Sequence, residues 1–100
     1  MPFEHISCEQ LKTRLDSEED VVIIDIRDPQ SYDAGHIENA IRIDNSNVEN
    51  FVATADKSLP LVVCCYHGNS SQGAADYFNA QGFEKAASLD GGYEYWKTLI

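Results

Sequence analysis

The sequence has few basic residues. Seven Lys and Arg stand against seventeen Asp and Glu, so the formal net charge at pH 7 is −10. The basic residues are scattered, and only the segment Lys12 to Arg14 holds two of them close together. Nucleic acids and anionic membrane surfaces bind proteins through clustered positive charge. The sequence therefore predicts that this protein binds neither.

Long apolar runs are also missing. A membrane-spanning helix needs about 20 consecutive apolar residues. The longest candidate runs, Val21 to Ile26 and Leu59 to Tyr66, have the length of buried strands. The first ten residues lack the basic and apolar regions of a secretory signal. With 43% hydrophobic and 24% charged residues, the chain is expected to form one globular, cytoplasmic domain over residues 1–100.

Only three cysteines are present, at positions 8, 64 and 65. An odd number cannot pair completely within one chain, and a disulfide scaffold is not expected in a cytoplasmic protein. Cys64 and Cys65 are adjacent, and a bond between them would close a strained ring. At least one thiol is therefore expected to be free to react.

Short apolar runs alternate with amphipathic stretches. The runs predict strands near residues 3–6, 21–25, 40–43, 59–64 and 85–89. Helices are predicted near residues 7–15, 28–35, 46–55, 71–81 and 93–99, with capping boxes at Ser7 to Gln10 and at Ser46 to Glu49. Asp28 and Pro29 are predicted to be the cap and the first residue of the second helix. This alternation predicts an α/β fold in which a mainly parallel five-stranded sheet carries helices on both faces. Ligands bind such sheets at the carboxyl ends of the strands, here near Asp25, Cys65 and Asp90.

Cys65 stands between an apolar strand and a loop of small and polar residues that runs to Ser71. Such a loop can curl so that successive N–H groups point inward and form a nest for an anion. The N-terminus of the next helix adds partial positive charge. Both features lower a thiol pKa and favour the reactive thiolate. We therefore hypothesise that Cys65 is a nucleophile.

The other two cysteines are interpreted as core residues. Neighbouring strand residues point to opposite faces, so Cys64 is expected to pack against a helix and stay unreactive. A metal site is not expected, because adjacent side chains diverge and no second pair stands at zinc spacing. Cys8 shares a predicted helix face with Leu11 and Leu15.

Several further residues are interpreted as architectural. Asp25 ends a buried strand, where its carboxylate needs a partner such as Arg27. His36 is expected to hydrogen-bond the turn after a short helix. Gly91 and Gly92 are expected to permit a tight turn beside the Cys65 loop.

Three segments carry a resemblance that covers essentially the whole chain. Residues 25–37, 65–71 and 90–96, in this order and spacing, resemble the rhodanese family. Length and loop sequence are most similar to the single-domain thiosulfate sulfurtransferases of the bacterial glycerol-3-phosphate regulon. The resemblance implies a rhodanese-like fold and an enzyme that needs no metal or other cofactor.

The resemblance also implies a mechanism. Cys65 would attack the outer sulfur of thiosulfate, release sulfite and become a persulfide. Cyanide, or a thiol such as that of thioredoxin, would then accept this sulfur in a ping-pong reaction. Substrate binding would fall to the loop that follows, namely Tyr66, His67, Gly68, Asn69, Ser70 and Ser71, whose N–H groups would stabilise the persulfide.

The loop departs from the family in one respect. Many rhodaneses carry Arg or Lys inside it, whereas Tyr66, His67 and Ser70 stand here. Thiosulfate would have to bind through N–H groups and protonated His67 in a protein of charge −10. Weak thiosulfate binding is expected.

Two alternatives stay open at this point. A sulfur-relay protein would take its sulfur from a protein persulfide instead of thiosulfate. A phosphatase or arsenate reductase of the related fold would need an Arg six positions after the cysteine, where this chain has Ser71.

Overall fold

The computed structural model describes residues 3–100, which form five strands and five helices in strict alternation. The strands are β1 (Glu4–Ile6), β2 (Val22–Asp25), β3 (Ile41–Arg42), β4 (Leu61–Cys64) and β5 (Ala86–Leu89). The helices are α1 (Cys8–Asp16), α2 (Pro29–Ala34), α3 (Val48–Thr54), α4 (Ser70–Ala80) and α5 (Gly92–Trp96). The predicted α/β class is confirmed.

All five strands join one parallel sheet in the order β1-β5-β4-β2-β3. Since every neighbouring pair is parallel, the carboxyl ends of β2, β4 and β5 lie at the same edge. The loops after Asp25, Cys64 and Leu89 therefore start side by side. The candidate site residues after β4 therefore lie at this edge.

Helices cover both faces of the sheet, as predicted. Cys8 and Leu11 of α1 and Trp96 of α5 pack with the strand residues of one face. Ala75 and Phe78 of α4 pack on the other face, where α3 contributes partly buried side chains. Burial of Phe78 stabilises the fold by about 1.5–3 kcal/mol and fixes α4 against the sheet.

Two of the predicted helix starts are confirmed. Ser7 and Gln10 form both hydrogen bonds of a capping box at the start of α1. Asp28 caps α2 through the Ser31 N–H, and Pro29 occupies the first helical position. These signals are reliable because cap and helix are neighbours in the chain.

The predicted capping box from Ser46 to Glu49 is wrong. Helix α3 begins at Val48, and Asn47 precedes it without a side-chain cap. The Ser46 hydroxyl instead donates to the carboxylate of Asp44, at 2.5 Å. A hydrogen bond from the Ser46 hydroxyl to a charged carboxylate is stronger than one from a helix N–H to that hydroxyl. Ser46 therefore closes a turn with Asp44 instead of capping the helix.

Other helix boundaries differ from the predicted ones by one to three residues. Helix α4 begins at Ser70 rather than at residue 71. Helix α5 ends at Trp96, because the following N–H groups of Thr98 and Leu99 bond three residues back and tighten the chain into a turn. Within residues 3–100, no helix combines the length and the apolar character that crossing a membrane requires.

Candidate active site

Cys65 is the first residue after β4 and lies at the carboxyl edge of the sheet. Its Sγ accepts two backbone hydrogen bonds, from the Gly68 N–H at 3.2 Å and from the Ser71 N–H at 3.3 Å. The side chain is only 3% exposed. The loop thus folds back over the sulfur and directs N–H groups at it.

Burial and hydrogen bonding act in opposite directions on the Cys65 thiol. Burial alone raises its pKa, because a charge is costly to desolvate. Hydrogen bonds from Ser71, and from the N–H groups of Gly68 and His67, outweigh burial, so the pKa of Cys65 lies below its ordinary value. The loop hydrogen bonds therefore make this buried sulfur easier to ionise than an ordinary thiol.

The shape of the loop is held by the start of α5. The Tyr93 N–H donates to the Cys65 carbonyl at 2.8 Å, and the Glu94 N–H donates to the Tyr66 carbonyl at 3.0 Å. With these carbonyls turned toward α5, the loop amides face the sulfur. Gly92 makes this approach possible, because a Cβ there would stand 2.5 Å from the Tyr66 carbonyl oxygen. The predicted tight turn at Gly91 and Gly92 is confirmed, with φ of +84° and +61°.

A small pocket of about 120 Å³ opens beside the sulfur. Its lining residues all belong to the loop: Cys65, Tyr66, His67, Asn69 and Ser70. Within residues 3–100, the N–H groups of Tyr66, Asn69 and Ser70 donate to no protein acceptor. Unpaired N–H groups around a concavity form a site for an anion.

The predicted site residues come together here in two layers. Tyr66, His67, Asn69 and Ser70 are exposed around the pocket. Gly68 and Ser71 are buried and contact the sulfur from behind through their N–H groups. The substrate-binding loop proposed from the sequence is thus one compact shell around Cys65.

Tyr66 also contacts a second element. Its phenol donates to the Asp28 carboxylate at the start of α2. Hydrogen bonds from Tyr66 first, and then from Ser31, lower the pKa of Asp28 below its usual range. This contact was not foreseen, because Asp28 is 38 residues away in the chain and its only recognised task was to cap α2.

Ser88 was not predicted from the sequence as a neighbour of the site. This residue lies inside β5, is fully buried, and has its Oγ 2.7 Å from the Oγ of Ser71. A signal was present, since a lone serine inside an apolar strand needs a hydrogen-bond partner in the core. Its partner could be identified only from the fold.

The other two cysteines lie in the core on the opposite face of the sheet. Burial raises the pKa of Cys64, and burial with the nearby Glu9 and Asp90 charges raises the pKa of Cys8 to about 11. Both thiols stay protonated and enclosed. The two faces therefore separate Cys65 from Cys64, as the strand period predicts.

The polar residues interpreted as architectural behave as expected. Arg27 binds the fully buried Asp25 carboxylate through two nitrogens and also donates to the Gly35 carbonyl at 2.7 Å. The His36 ring lies 2.8 Å from the Tyr32 carbonyl. Across residues 3–100 no three His, Cys, Asp or Glu side chains are grouped to hold a metal ion.

Comparison with known proteins gives a consistent result. A family model described as Rhodanese-like domain matches residues 7–99. A protein of Pseudomonas paraeruginosa named thiosulfate sulfurtransferase GlpE is 53% identical over 97% of this chain and 86% of its own. A protein of the same name from Pseudoalteromonas translucida is 50% identical over 98% of this chain and 92% of its own.

The fold has a counterpart among solved structures. The crystal structure of a rhodanese-like domain protein from Staphylococcus aureus superposes with a TM-score of 0.83 at 26% identity. The match covers 94% of this chain and 91% of that one.

Proposed function

This chain belongs to the rhodanese-like family, and we propose that it is a thiosulfate sulfurtransferase whose nucleophile is Cys65. It is an enzyme that moves sulfur from a small-molecule donor. Relatives about half identical to it over nearly the whole chain carry this activity in their names. The single observation that carries the residue assignment is the Cys65 sulfur, which accepts two loop N–H groups beside a small pocket.

The reaction has two covalent steps. The Cys65 thiolate attacks the outer sulfur of thiosulfate, the sulfur–sulfur bond breaks, and sulfite leaves with the electron pair. An acceptor thiolate or cyanide then attacks the outer sulfur of the persulfide, and Cys65 leaves as a thiolate. Because each step exchanges one anion for another, no side chain has to transfer a proton.

The loop contributes electrostatic stabilisation at both steps. Gly68 and Ser71 hold charge on Sγ, while Tyr66, Asn69 and Ser70 line the pocket beside it and have N–H groups available to the outer sulfur and its charge. Donors fixed in place before the reaction need no reorganisation when the charge moves. Because different N–H groups of the loop serve the two positions of the charge, one loop can stabilise both the Cys65 thiolate and the persulfide.

The donor is small and is bound weakly. Pockets for drug-sized ligands span about 300–1,000 Å³, whereas the pocket at Cys65 measures about 120 Å³. No Lys or Arg lines it, and the chain carries a net charge of −10. Thiosulfate would therefore be held by N–H groups and His67 against a repulsive field.

We place the enzyme in the cytoplasm, with residues 1–100 acting as one domain. Three free cysteines suit a reducing compartment, and all five strands join a single sheet. The acceptor would be a thiol, such as that of thioredoxin, or cyanide in an assay. We expect no nucleic-acid or membrane partner, since the basic residues are few and scattered.

The phosphatase alternative is not favoured by the loop. Ser71 occupies the position where phosphate chemistry needs a guanidinium, and its hydroxyl is engaged with Ser88 inside the core. The relay alternative shares the persulfide on Cys65 and differs only in the donor.

The test compares Cys65→Ser with Cys64→Ser. Cys65→Ser is expected to abolish sulfur transfer from thiosulfate to cyanide, because the nucleophile is lost. Cys64→Ser is expected to keep the transfer rate and to lower the free energy of unfolding by about 1–3 kcal/mol, since it buries a hydroxyl in an apolar cluster. Mass spectrometry of each variant after treatment with the donor shows whether its cysteine peptide carries an extra sulfur atom.

The outcomes separate the alternatives. Transfer that survives Cys65→Ser contradicts the assignment. Loading of Cys65 by a protein persulfide but not by thiosulfate supports the relay instead.

A further inference from the structure

A second cavity, here called the α5 cavity, lies next to the pocket at Cys65. It measures about 270 Å³, and Tyr66 lines both cavities, so that its side chain separates them. The Tyr66 phenol is held at the start of α2, where it donates to the Asp28 carboxylate and accepts the Asp28 N–H at 3.3 Å. Both cavities are open to solvent. A small molecule in the α5 cavity can therefore extend past the Tyr66 ring toward the sulfur of Cys65.

The Arg27 guanidinium forms the buried wall of the α5 cavity. Its Nε and Nη2 bind the Asp25 carboxylate, and Nη2 also donates to the Gly35 carbonyl. The group lies 4.3 Å from the centroid of the Tyr93 ring, which lines the same cavity. These contacts fix the guanidinium in one orientation before any ligand arrives.

One nitrogen of this guanidinium is left over. Within residues 3–100, Arg27 Nη1 donates to no acceptor. Arg27 is only 3% exposed, yet no fully enclosed side-chain nitrogen or oxygen in that range lacks a partner. Nη1 must therefore reach the open space of the cavity. A rigid guanidinium with free N–H groups is a site for a carboxylate.

The rim of the α5 cavity carries charges of both signs. Lys97 and Glu94 line it and form an ion pair of 2.8 Å, with side chains that are 50% and 39% exposed. Both are free enough to turn toward a ligand. Arg27 and Lys97 suit a carboxylate, and Glu94 suits an ammonium group. By contrast, the described lining of the pocket at Cys65 contains no Lys, Arg, Asp or Glu.

We propose that the α5 cavity binds the sulfur acceptor, and that this acceptor is a small thiol carrying a carboxylate and an ammonium group, the chemistry of an α-amino-acid thiol. Arg27 Nη1 and Lys97 hold the carboxylate, and Glu94 holds the ammonium group. The thiol then extends past Tyr66 to the persulfide. The proposal rests on the proposed function, because it assigns the acceptor of the same Cys65 persulfide.

The size of the cavity agrees with an acceptor of this class. Pockets for drug-sized ligands span about 300–1,000 Å³, and the α5 cavity of about 270 Å³ lies just below that range. A protein thiol cannot enter such a space and would leave the free Nη1 without a partner. The cavity therefore favours a free amino-acid thiol over a protein acceptor.

The transfer step balances without any further reactant. The acceptor thiol loses its proton to solvent, and its thiolate attacks the outer sulfur of the Cys65 persulfide. The sulfur–sulfur bond breaks, and its electron pair returns to Sγ of Cys65. The acceptor leaves as a persulfide.

The experiment measures single-turnover discharge of preloaded Cys65 persulfide by four thiols at one pH and ionic strength. Cysteine carries both charged groups, 3-mercaptopropionate only the carboxylate, cysteamine only the ammonium, and 2-mercaptoethanol neither. We expect the rate to saturate with cysteine and to rise linearly with 2-mercaptoethanol. For each thiol, the ratio of the original protein to a variant cancels the intrinsic reactivity of that thiol.

Two variants separate the two charged groups of the acceptor. Lys97→Ala should weaken discharge at low concentration by about 3–10-fold for cysteine and 3-mercaptopropionate, the range between an exposed ion pair and a hydrogen bond to a charged group. Glu94→Gln should weaken it similarly for cysteine and cysteamine. Ratios for 2-mercaptoethanol should stay near one. Lys12→Ala is the matched control, since Lys12 is another exposed lysine in a helical ion pair, with Asp16, and its loss changes the net charge equally. Its ratios should be near one for all four thiols.

A binding measurement tests the site without any sulfur transfer. L-Serine has the same charged groups as cysteine and a hydroxyl in place of the thiol. In an NMR titration of the original protein it should shift the amide signals of Tyr93 and Glu94, and Lys97→Ala should weaken this binding by the same factor. If thiosulfate fails to load Cys65, the proposed function fails, while this titration still tests the cavity.

Three results would overturn the proposal. The first is a rate that stays linear with cysteine, together with no binding of L-serine. The second is a set of variant ratios that is the same for all four thiols. The third is a Lys97→Ala effect on thiosulfate loading as large as that on discharge by cysteine, which would assign the cavity to the donor.

Discussion

At the scale of single residues, the central feature is a buried sulfur that stays easily ionised. Cys65 and Cys64 are neighbours with almost equal burial, yet their pKa values move in opposite directions. Burial raises both, and only Cys65 receives compensating hydrogen bonds from the loop. The difference comes from the strand period, which turns one sulfur toward the loop and the other toward α1.

A pH dependence of sulfur loading follows from this lowered pKa. In the proposed mechanism the Cys65 thiolate is the reacting form, so the rate of persulfide formation should fall as the pH drops through the pKa of Cys65. Because that pKa lies below the ordinary thiol value, the half-maximal rate should occur at a lower pH than for N-acetylcysteine. Single-turnover loading by thiosulfate, followed by the release of sulfite, measures the profile. A half-maximum at or above that of the free thiol would contradict the account.

At the scale of elements, the site is built where three loops meet at one sheet edge. Helix α5 is short, and its first N–H groups are used to hold the carbonyls of Cys65 and Tyr66. Helix α4 begins inside the loop and is anchored on the other side by Phe78. The loop is thus fixed at both ends by elements that are themselves packed on opposite faces.

Alanine substitutions at Gly92 and Gly73 compare a glycine that contacts the loop closely with one that has open space around it. Gly92→Ala is expected to lower the free energy of unfolding by more than about 2 kcal/mol, because a left-handed residue with a Cβ costs about 1–2 kcal/mol and this Cβ would stand 2.5 Å from the Tyr66 carbonyl oxygen. Sulfur transfer should fall with it, since the loop must move. Gly73 lies in α4 with nothing within 4 Å of an added Cβ. Gly73→Ala should therefore raise the free energy of unfolding by about 0.5–1 kcal/mol.

Urea denaturation and the cyanide assay measure both variants. If Gly92→Ala matched the original protein in stability and rate, the close contact between α5 and the loop would not matter. The Gly73 variant shows what a methyl group does where space is open.

At the scale of the whole molecule, the net negative charge opposes the binding of an anionic substrate. A chain of net charge −10 repels the thiosulfate dianion over distances set by the ionic strength. The pocket itself offers no Lys or Arg to counter that field. The amides act only at short range, so approach and binding depend on different parts of the molecule.

Salt should therefore help this enzyme. Raising the ionic strength from about 0.01 M to 0.15 M shortens the Debye length from about 30 Å to about 8 Å, and the KM for thiosulfate should fall a few-fold while kcat changes little. Sodium chloride and a salt with a bulky organic anion should lower the KM equally at the same ionic strength. This comparison distinguishes screening from specific binding of chloride. Cys65 alkylation by neutral iodoacetamide, at a pH where the thiol is fully ionised, is the control and should vary much less. A KM that rises with salt would show that local positive potential dominates.

Much of this protein was determined by sequence features that act over a few residues. Apolar runs alternating with amphipathic stretches specify five strands and five helices, and parallel crossovers then bring their loops to one edge. The caps at Ser7 and Asp28 and the opposite orientation of Cys64 and Cys65 follow from spacing alone. Each depends on neighbours within one helical turn or one strand period, which the chain itself supplies.

The tertiary structure alone decided which distant groups meet. Ser88 reaches Ser71 because β5 pairs with β4 in a register that sets Val63 beside Ser88. Tyr66 meets Asp28 because β2 and β4 are adjacent in the sheet. Strand register and helix packing are settled by the burial of the whole core, and no local stretch of sequence contains that information.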